Sequence, residues 1–392
     1  MKITRIKDLH ADAGWRVFSF LKIETDAGVV GWSEYNESYG SRGLTAVIMK
    51  LAETLIGHDP RPVEKITAAL YARTRQAPGG LIQQAIAAIE NALVDVKAKA
   101  LGIPVAEMLG GPVRDRLRLY WSHCGSYRLN HAEAMGLPPV RNLDDIRSLG
   151  AHVRERGFTA LKTNIFLFDG QAPEMFMPGF GRTPGGPELN PSRRIETALD
   201  RQLTAFREGA GDDVEFLLDL NFNFKTEGYI RLVRWLEQQQ HRLMWVEIDS
   251  FDARALALIR RSITTPLASC ESLFTRRQFR DYFEQGSMDV AIVDLPWNGV
   301  LESMKIAAMA EAYEVNCAPH NFYGHMSTLM SAHFCAAIPN FRIMEIDIDD
   351  VPWKDDLVTV PPVIENGHLV LPTGPGWGAD INEEAVRRHP PK

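Results

Sequence analysis

Six side chains in this 392-residue sequence combine reactive chemistry with a regular interval: Asp219, Glu247, Glu271, Asp294, His320 and Glu345, spaced by 28, 24, 23, 26 and 25 residues. The first three stand in LLDLN, WVEID and SCESL, where an apolar run would otherwise continue into a core. A buried charge costs several kcal/mol unless it is paired. Three acids together therefore call for a cation, and hard oxygen ligands that leave octahedral positions open suit Mg²⁺ or Mn²⁺. His320, in CAPHNFYGH, comes one interval after Asp294. That carboxylate can hold one imidazole nitrogen and leave the other to accept a proton. Lys162, in ALKTNIF, adds positive charge for an anionic substrate. The chemistry such a set serves is removal of a proton beside a carboxylate, with the cation and lysine stabilising the doubly charged enediolate.

The interval is that of one βα unit. Short β-like runs (LRLYWSHC, TALKTNIF, VEFLLDLN, LMWVEID, PLASCES, VAIVDLP, VNCAPH and FRIMEID) each precede a helical segment or close the series. Eight parallel strands with covered faces imply an α/β fold closed into a barrel, whose strand ends meet in one ring at the C-terminal face. Ahead of this lies a different grammar. Alternating runs such as FSFLKIETD and VVGWSEY, with a turn at Asp26-Ala27-Gly28, predict a hairpin or meander, and GLIQQAIAAIENALVDVKAKALG predicts a long helix closed by Gly102 and Pro104. We expect an α+β unit over 1–112, the barrel over 113–350, and a segment 351–392 packing back on the first unit. The Gly- and Pro-rich stretch 167–192 reads as a loop over the barrel mouth.

Polar and aromatic residues near the mouth supply candidate substrate contacts: Trp15, Arg16, Tyr39 and Arg42 from the first unit, and His123, Arg128, Asn164 and Asn221 from the barrel. With 45% apolar residues the chain can bury a large core, and a net charge of −7 without a basic block argues against nucleic-acid or membrane partners. Four widely spaced cysteines form no CxxC pair, which favours free thiols in a reducing cytoplasm over disulfides or a thiolate metal site. The charged N-terminus has no apolar h-region, so cytoplasmic localisation is expected.

These contexts resemble the enolase superfamily, specifically its mandelate-racemase-like subgroup. The resemblance runs through AIENALVDVKAKALGIPVAEMLGG at 88–111, the acid-bearing strands and GPGWGADI at 374–381. It implies a modified (β/α)7β TIM-type barrel with an N-terminal capping domain, Mg²⁺ on Asp219, Glu247 and Glu271, a His320–Asp294 dyad, and Glu345 hydrogen-bonding the substrate carboxylate. It also implies a homo-oligomer, dimer or octamer. Two features depart from the family pattern. The strand-two Lys-x-Lys motif is here Lys162-Thr163-Asn164, and VDLPWNG lacks the usual Gly-Gly after the dyad aspartate. Asn164 cannot abstract a proton, which disfavours two-base racemisation and favours a dehydratase of an aldonate or aldarate, in which His320 both deprotonates the substrate and helps hydroxide leave. Racemisation or epimerisation of a 2-hydroxy acid is the alternative within the class. An inactive sugar-acid-binding scaffold is the alternative outside it.

Overall fold

The computed structural model describes residues 1–181 and 189–391. The chain opens with an antiparallel meander of Ile3–Asp12, Val17–Thr25 and Val30–Tyr35, covered by helices that include Leu44–Ala52, Val63–Arg73 and Gly80–Leu101. The long helix lies so close on the third strand that a Cβ at Gly31 would stand 2.3 Å from the Ala92 carbonyl oxygen. It stops at Gly102, whose φ of 70° is the left-handed conformation that ends helices at glycine.

Eight strands follow: Arg116–Trp121, Ala160–Thr163, Glu215–Asn221, Leu243–Ile248, Leu267–Ser269, Val290–Asp294, Asn316–His320 and Met344–Ile346. The first seven pair in chain order, all parallel, and the eighth pairs with the first. A parallel bridge from Cys317 to Phe341 closes the remaining gap beside the seventh strand. Helices connect each strand to the next, the last being His325–Ala337, and no helix covers the eighth strand before the tail turns away. This is the (β/α)7β barrel with its capping meander, as the sequence leads one to expect.

The pleat decides which residues face inward. Alternate strand residues point to opposite faces. Ala160, Leu217, Trp245, Ile292, Ala318 and Ile343 fill a separate small core inside the barrel, while Leu161, Phe216, Leu218, Val246 and Val293 pack outward on the helices. Two residues beyond those inner positions stand Lys162, Asp219, Glu247, Asp294, His320 and Glu345. Strand five breaks the alternation: Cys270 has a φ of 92°, and this left-handed kink lies between inward-facing Ala268 and Glu271.

Within 167–192, residues 182–188 lie outside the described residues. The part before them holds a small antiparallel pairing of Phe166–Leu167 with Glu174–Met175, then crosses the end of strand three, where the Gly179 amide donates to Asn223 Oδ1 at 3.2 Å and Phe180 meets Phe222 edge-on. The tail does two things. Its hairpin of Ile364–Glu365 and His368–Val370 adds antiparallel to the lower half of the first barrel strand. Further on, the Trp377 amide and indole donate to Asp95 and to the Trp32 carbonyl of the capping unit. No helix among the described residues is long and apolar enough to cross a membrane.

Candidate active site

The ring of strand ends is a dense charge network. Lys162 Nζ lies 2.9 Å from Glu345 Oε1, 3.2 Å from Glu247 Oε2 and 3.7 Å from Asp219 Oδ2, with its side chain only 2% exposed. Burial works against its charge, yet the facing carboxylates of Glu247, Glu345 and Asp219 hold Lys162 protonated well above the usual lysine range. Burial pushes Glu247 up to about 8, opposed by Lys162 and reinforced by Asp219 and Glu271. Asp219 is raised for the same first reason. Asp249, two residues after Glu247, joins this cluster: burial and then Glu271, Glu247 and Asp219 drive it well above the ordinary carboxylate range.

On the far side, His320 Nδ1 meets Asp294 Oδ2 at 2.7 Å, and His320 Nε2 faces Glu271 Oε2 at 3.4 Å. Burial disfavours the imidazolium, but Glu271 and the Asp294 hydrogen bond outweigh it and raise His320 to about 10. Asp294 accepts on both of its oxygens. Its Oδ2 also takes the Tyr323 hydroxyl at 2.5 Å, and its Oδ1 takes the Trp297 amide at 2.7 Å. The Leu295–Asn298 turn that replaces the Gly-Gly pattern is therefore a short helix capped by the dyad aspartate itself.

Glu345, expected to hydrogen-bond the substrate carboxylate, is already engaged. Its Oε1 accepts from Lys162 and from Ser122 Oγ at 2.5 Å, and its Oε2 accepts the Asn321 amide at 2.6 Å. Burial alone would raise it, but Lys162, His320 and His123 hold it at about 2. Its two oxygens are thus shared among Lys162, Ser122 and the Asn321 amide.

Several candidate substrate contacts are likewise already engaged. Arg128 forms a bidentate pair with Asp349 at 2.9 and 2.7 Å, so it is a structural ion pair. Arg16, buried in the capping unit, donates to Asp350 at 2.7 Å, to Asp347 at 3.3 Å and to the Phe322 carbonyl. Trp15 stacks on His131 and meets the Tyr127 ring at a tilt. Asn164 accepts from Ser126 Oγ at 2.6 Å and reaches Asn221 Oδ1 at 3.4 Å, which ties the ends of strands two and three. Tyr39, 46% exposed, lies 5.9 Å from the Phe322 ring, and Arg42 is exposed. His123 touches the mouth through Phe322 and pairs with Asp347 at 2.9 Å.

Sequence spacing missed Tyr323, Trp297, Ser122, Asp249 and Asp347. Tyr323 had a visible signal, lying one helical turn past His320 in CAPHNFYGH. The others act through loop geometry that no interval reveals.

The donor set has the chemistry of a hard divalent-cation site. Glu247 Oε1 is buried without a hydrogen-bond partner beside Asp219, Glu271 and Asp249. A buried, partnerless carboxylate oxygen is costly unless a cation takes it. Among the described residues no three Asp, Glu, His or Cys side chains converge in metal-holding geometry, and Lys162 and His320 lie against the carboxylates. Asp219, Glu247 and Glu271 are the residues that would hold the ion, which supplies positive charge to an oxyanion bound beside it.

Fold and site together define a capped (β/α)7β barrel with acids, a lysine and a His–Asp pair gathered at the C-terminal strand ends. The chain belongs to the enolase superfamily, in its mandelate racemase and muconate lactonizing enzyme group: residues 145–385 match the family described as Enolase C-terminal domain-like, and residues 13–110 match the Mandelate racemase / muconate lactonizing enzyme, N-terminal domain. It is 31% identical to the D-galactonate dehydratase of Ralstonia nicotianae over 98% of this chain and 94% of that protein. It is 28% identical to the D-xylonate dehydratase of Haloferax volcanii over 99% and 89%. A Burkholderia xenovorans crystal structure, of a candidate L-alanine-DL-glutamate epimerase bound to magnesium and fumarate, superposes with a TM-score of 0.97 at 49% identity, covering 100% of this chain and 96% of that one.

Proposed function

We propose that this protein is a Mg²⁺-dependent dehydratase of an acid sugar, an aldonate or aldarate, yielding a 2-keto-3-deoxy acid. The observation that carries the reading is the asymmetry of the mouth: a His–Asp dyad on strands six and seven, and on strand two a buried ammonium with Asn164 where a second base would stand. The names of the sugar-acid dehydratase relatives support it, and the magnesium and fumarate of the similar structure support a metal and a carboxylate ligand at this mouth.

Lys162 attracts the substrate carboxylate and offsets the second charge that builds on it as the α-proton leaves. His320 takes that proton at Nε2 in its neutral form, which a cation on Glu271 would favour by offsetting the carboxylate charge that otherwise holds the ring protonated, and Asp294 fixes the tautomer through Nδ1. Tyr323 and the Trp297 amide keep Asp294 in place. Asp219, Glu247 and Glu271 are the ligands for Mg²⁺, whose charge stabilises the enediolate when bound. Preorganised charge of this kind is usually the largest catalytic term, while a general base contributes on the order of 10²–10⁴-fold. Glu345 holds Lys162 rather than the substrate. Substrate recognition falls to Tyr39, Arg42 and Asn221, with Trp15, Arg16 and Asn164 as their supports. We place the enzyme in the cytoplasm, acting as a homo-oligomer on free sugar acids.

Incubation with Mg²⁺ and a panel of aldonates and aldarates, with semicarbazide trapping of products, is expected to yield a keto-acid semicarbazone. A broad panel with no keto-acid would overturn the reading. The 49%-identical structure named as an epimerase keeps a second reading in view. Exchange of the α-proton in D₂O with inversion and no loss of hydroxide would favour it.

A further inference from the structure

The mouth holds a second His–Asp pair. His123 follows the first barrel strand, and its Nδ1 meets Asp347 Oδ1 at 2.9 Å, much as His320 Nδ1 meets Asp294 at 2.7 Å. Asp347 is fully buried and fixed by more than this contact: Arg16 donates to its Oδ2 at 3.3 Å, and Lys354 donates to its backbone carbonyl at 3.1 Å. The imidazole is stacked on Tyr127, with centroids 4.7 Å apart and planes 21° apart, and Ser122 Oγ lies 3.2 Å from Nδ1. Its side chain is 19% exposed, and Nε2 carries no hydrogen bond among the described residues.

Two further observations place this ring at the mouth beside His320. Phe322 touches both histidines, with its ring 4.8 Å from His320 and 6.1 Å from His123, so the two imidazoles flank one aromatic wall of the mouth. And His123 sits at a φ of 46°, a left-handed conformation that a side chain adopts only when its surroundings enforce it, and such positions cluster at functional sites.

We propose that His123 is a second catalytic acid–base residue, the one that protonates the departing hydroxyl, so that deprotonation and elimination are divided between His320 and His123. This rests on the dehydratase reading. His320 accepts the α-proton, and the C–H electron pair becomes the enediolate. That pair then forms the C2–C3 double bond as the C3–O bond breaks, and the His123 imidazolium gives its Nε2 proton to the leaving oxygen, releasing water. The resulting enol takes a proton at C3 from the His320 imidazolium and returns its hydroxyl proton to His123. Both imidazoles are restored, and the net change is loss of one water. Asn164 supplies no proton on strand two, so this arrangement gives the mouth the second proton-transfer group that a single histidine would have to replace.

The test separates the two half-reactions with the whole enzyme, Mg²⁺ and the aldonate and aldarate panel. His123→Gly suits the left-handed backbone, since glycine adopts positive φ without strain, and His123→Asn is the second variant. Both are expected to keep the wild-type far-UV spectrum and the Mg²⁺-induced shift in unfolding temperature. Exchange of the α-proton in D₂O should stay within about threefold of wild type, while keto-acid formation falls by about 10²–10⁴-fold, the range of general acid–base catalysis. Added imidazole should restore keto-acid formation in His123→Gly. Loss of fluoride from a 3-deoxy-3-fluoro acid, which demands less help from an acid, should be spared. Keto-acid formation within tenfold of wild type in both variants, or equal loss of exchange and elimination, overturns the assignment of His123 and leaves the dehydratase reading standing. A wild-type enzyme that makes no keto-acid overturns both.

Discussion

Lys162 is a buried ammonium shared by three carboxylates, and its removal would leave those charges uncompensated in a dry site. Breaking a buried pair in this way costs about 3–5 kcal/mol. Lys162→Met is therefore expected to lower the unfolding free energy of the metal-free protein, read from urea denaturation, by that amount, with Mg²⁺ recovering part of the loss, and to reduce turnover by roughly 10²–10³-fold through lost transition-state charge stabilisation. His320→Asn should behave differently. It removes the base but not the ligands, so α-proton exchange should fall at least about 100-fold while Mg²⁺ binding, followed by calorimetry, is retained. Retained exchange in that variant would show the dyad assignment to be wrong. At this scale the strand-end acids, Lys162 and His320 were legible because one residue type recurs per βα unit. Asp347 between His123 and Arg16 was not, because it acts from a loop.

Elements are held together by close backbone approach and by caps that cross between units. Gly209 lies against the helix Leu143–Glu155, where a Cβ would stand 1.9 Å from the Arg147 carbonyl oxygen. Gly209→Ala must push two barrel helices apart, and we expect a loss of about 1–3 kcal/mol in denaturant unfolding with KM unchanged, since both helices lie outside the mouth. The long capping helix reaches the other way. Glu90 and Asn91 accept the Leu301 and Val300 amides, so the capping unit closes the N-terminus of the barrel helix Val300–Ala312 that follows the dyad aspartate. Burial pushes the Glu90 carboxyl up to about 8. The folded state therefore holds this proton more tightly than the unfolded chain, whose glutamate titrates near about 4.3. Its stabilising contribution is complete below that lower value and is lost as pH rises to about 8. Glu90→Gln should flatten the fall in unfolding temperature between pH 5 and 9 relative to wild type; parallel profiles for the two proteins would contradict it. Helix and strand types were legible from periodicity. These caps were not, since residues 90 and 301 are distant in the chain.

The whole molecule gathers an excess of buried acid at one face, and any cation that binds the folded state but not the unfolded one must stabilise it. At a hundredfold excess over its dissociation constant, that linkage amounts to about 2.7 kcal/mol. Mg²⁺ should raise the unfolding temperature and EDTA should lower it. Asp219→Asn should abolish the difference, and a wild-type protein indifferent to both reagents would count against the metal assignment. The sequence by itself determined the α/β barrel, its capping meander and the ring of acids, because a strand's two-residue period and a βα unit's length leave few places for an inward polar residue at each strand end. Only the tertiary structure decided what those residues do to one another. Lys162, Ser122 and the Asn321 amide all converge on Glu345. Arg16 and Arg128 became structural because Asp347, Asp349 and Asp350 are buried beside them. Electrostatic roles depend on distance and burial in three dimensions, and residues far apart in the chain meet only once the barrel closes.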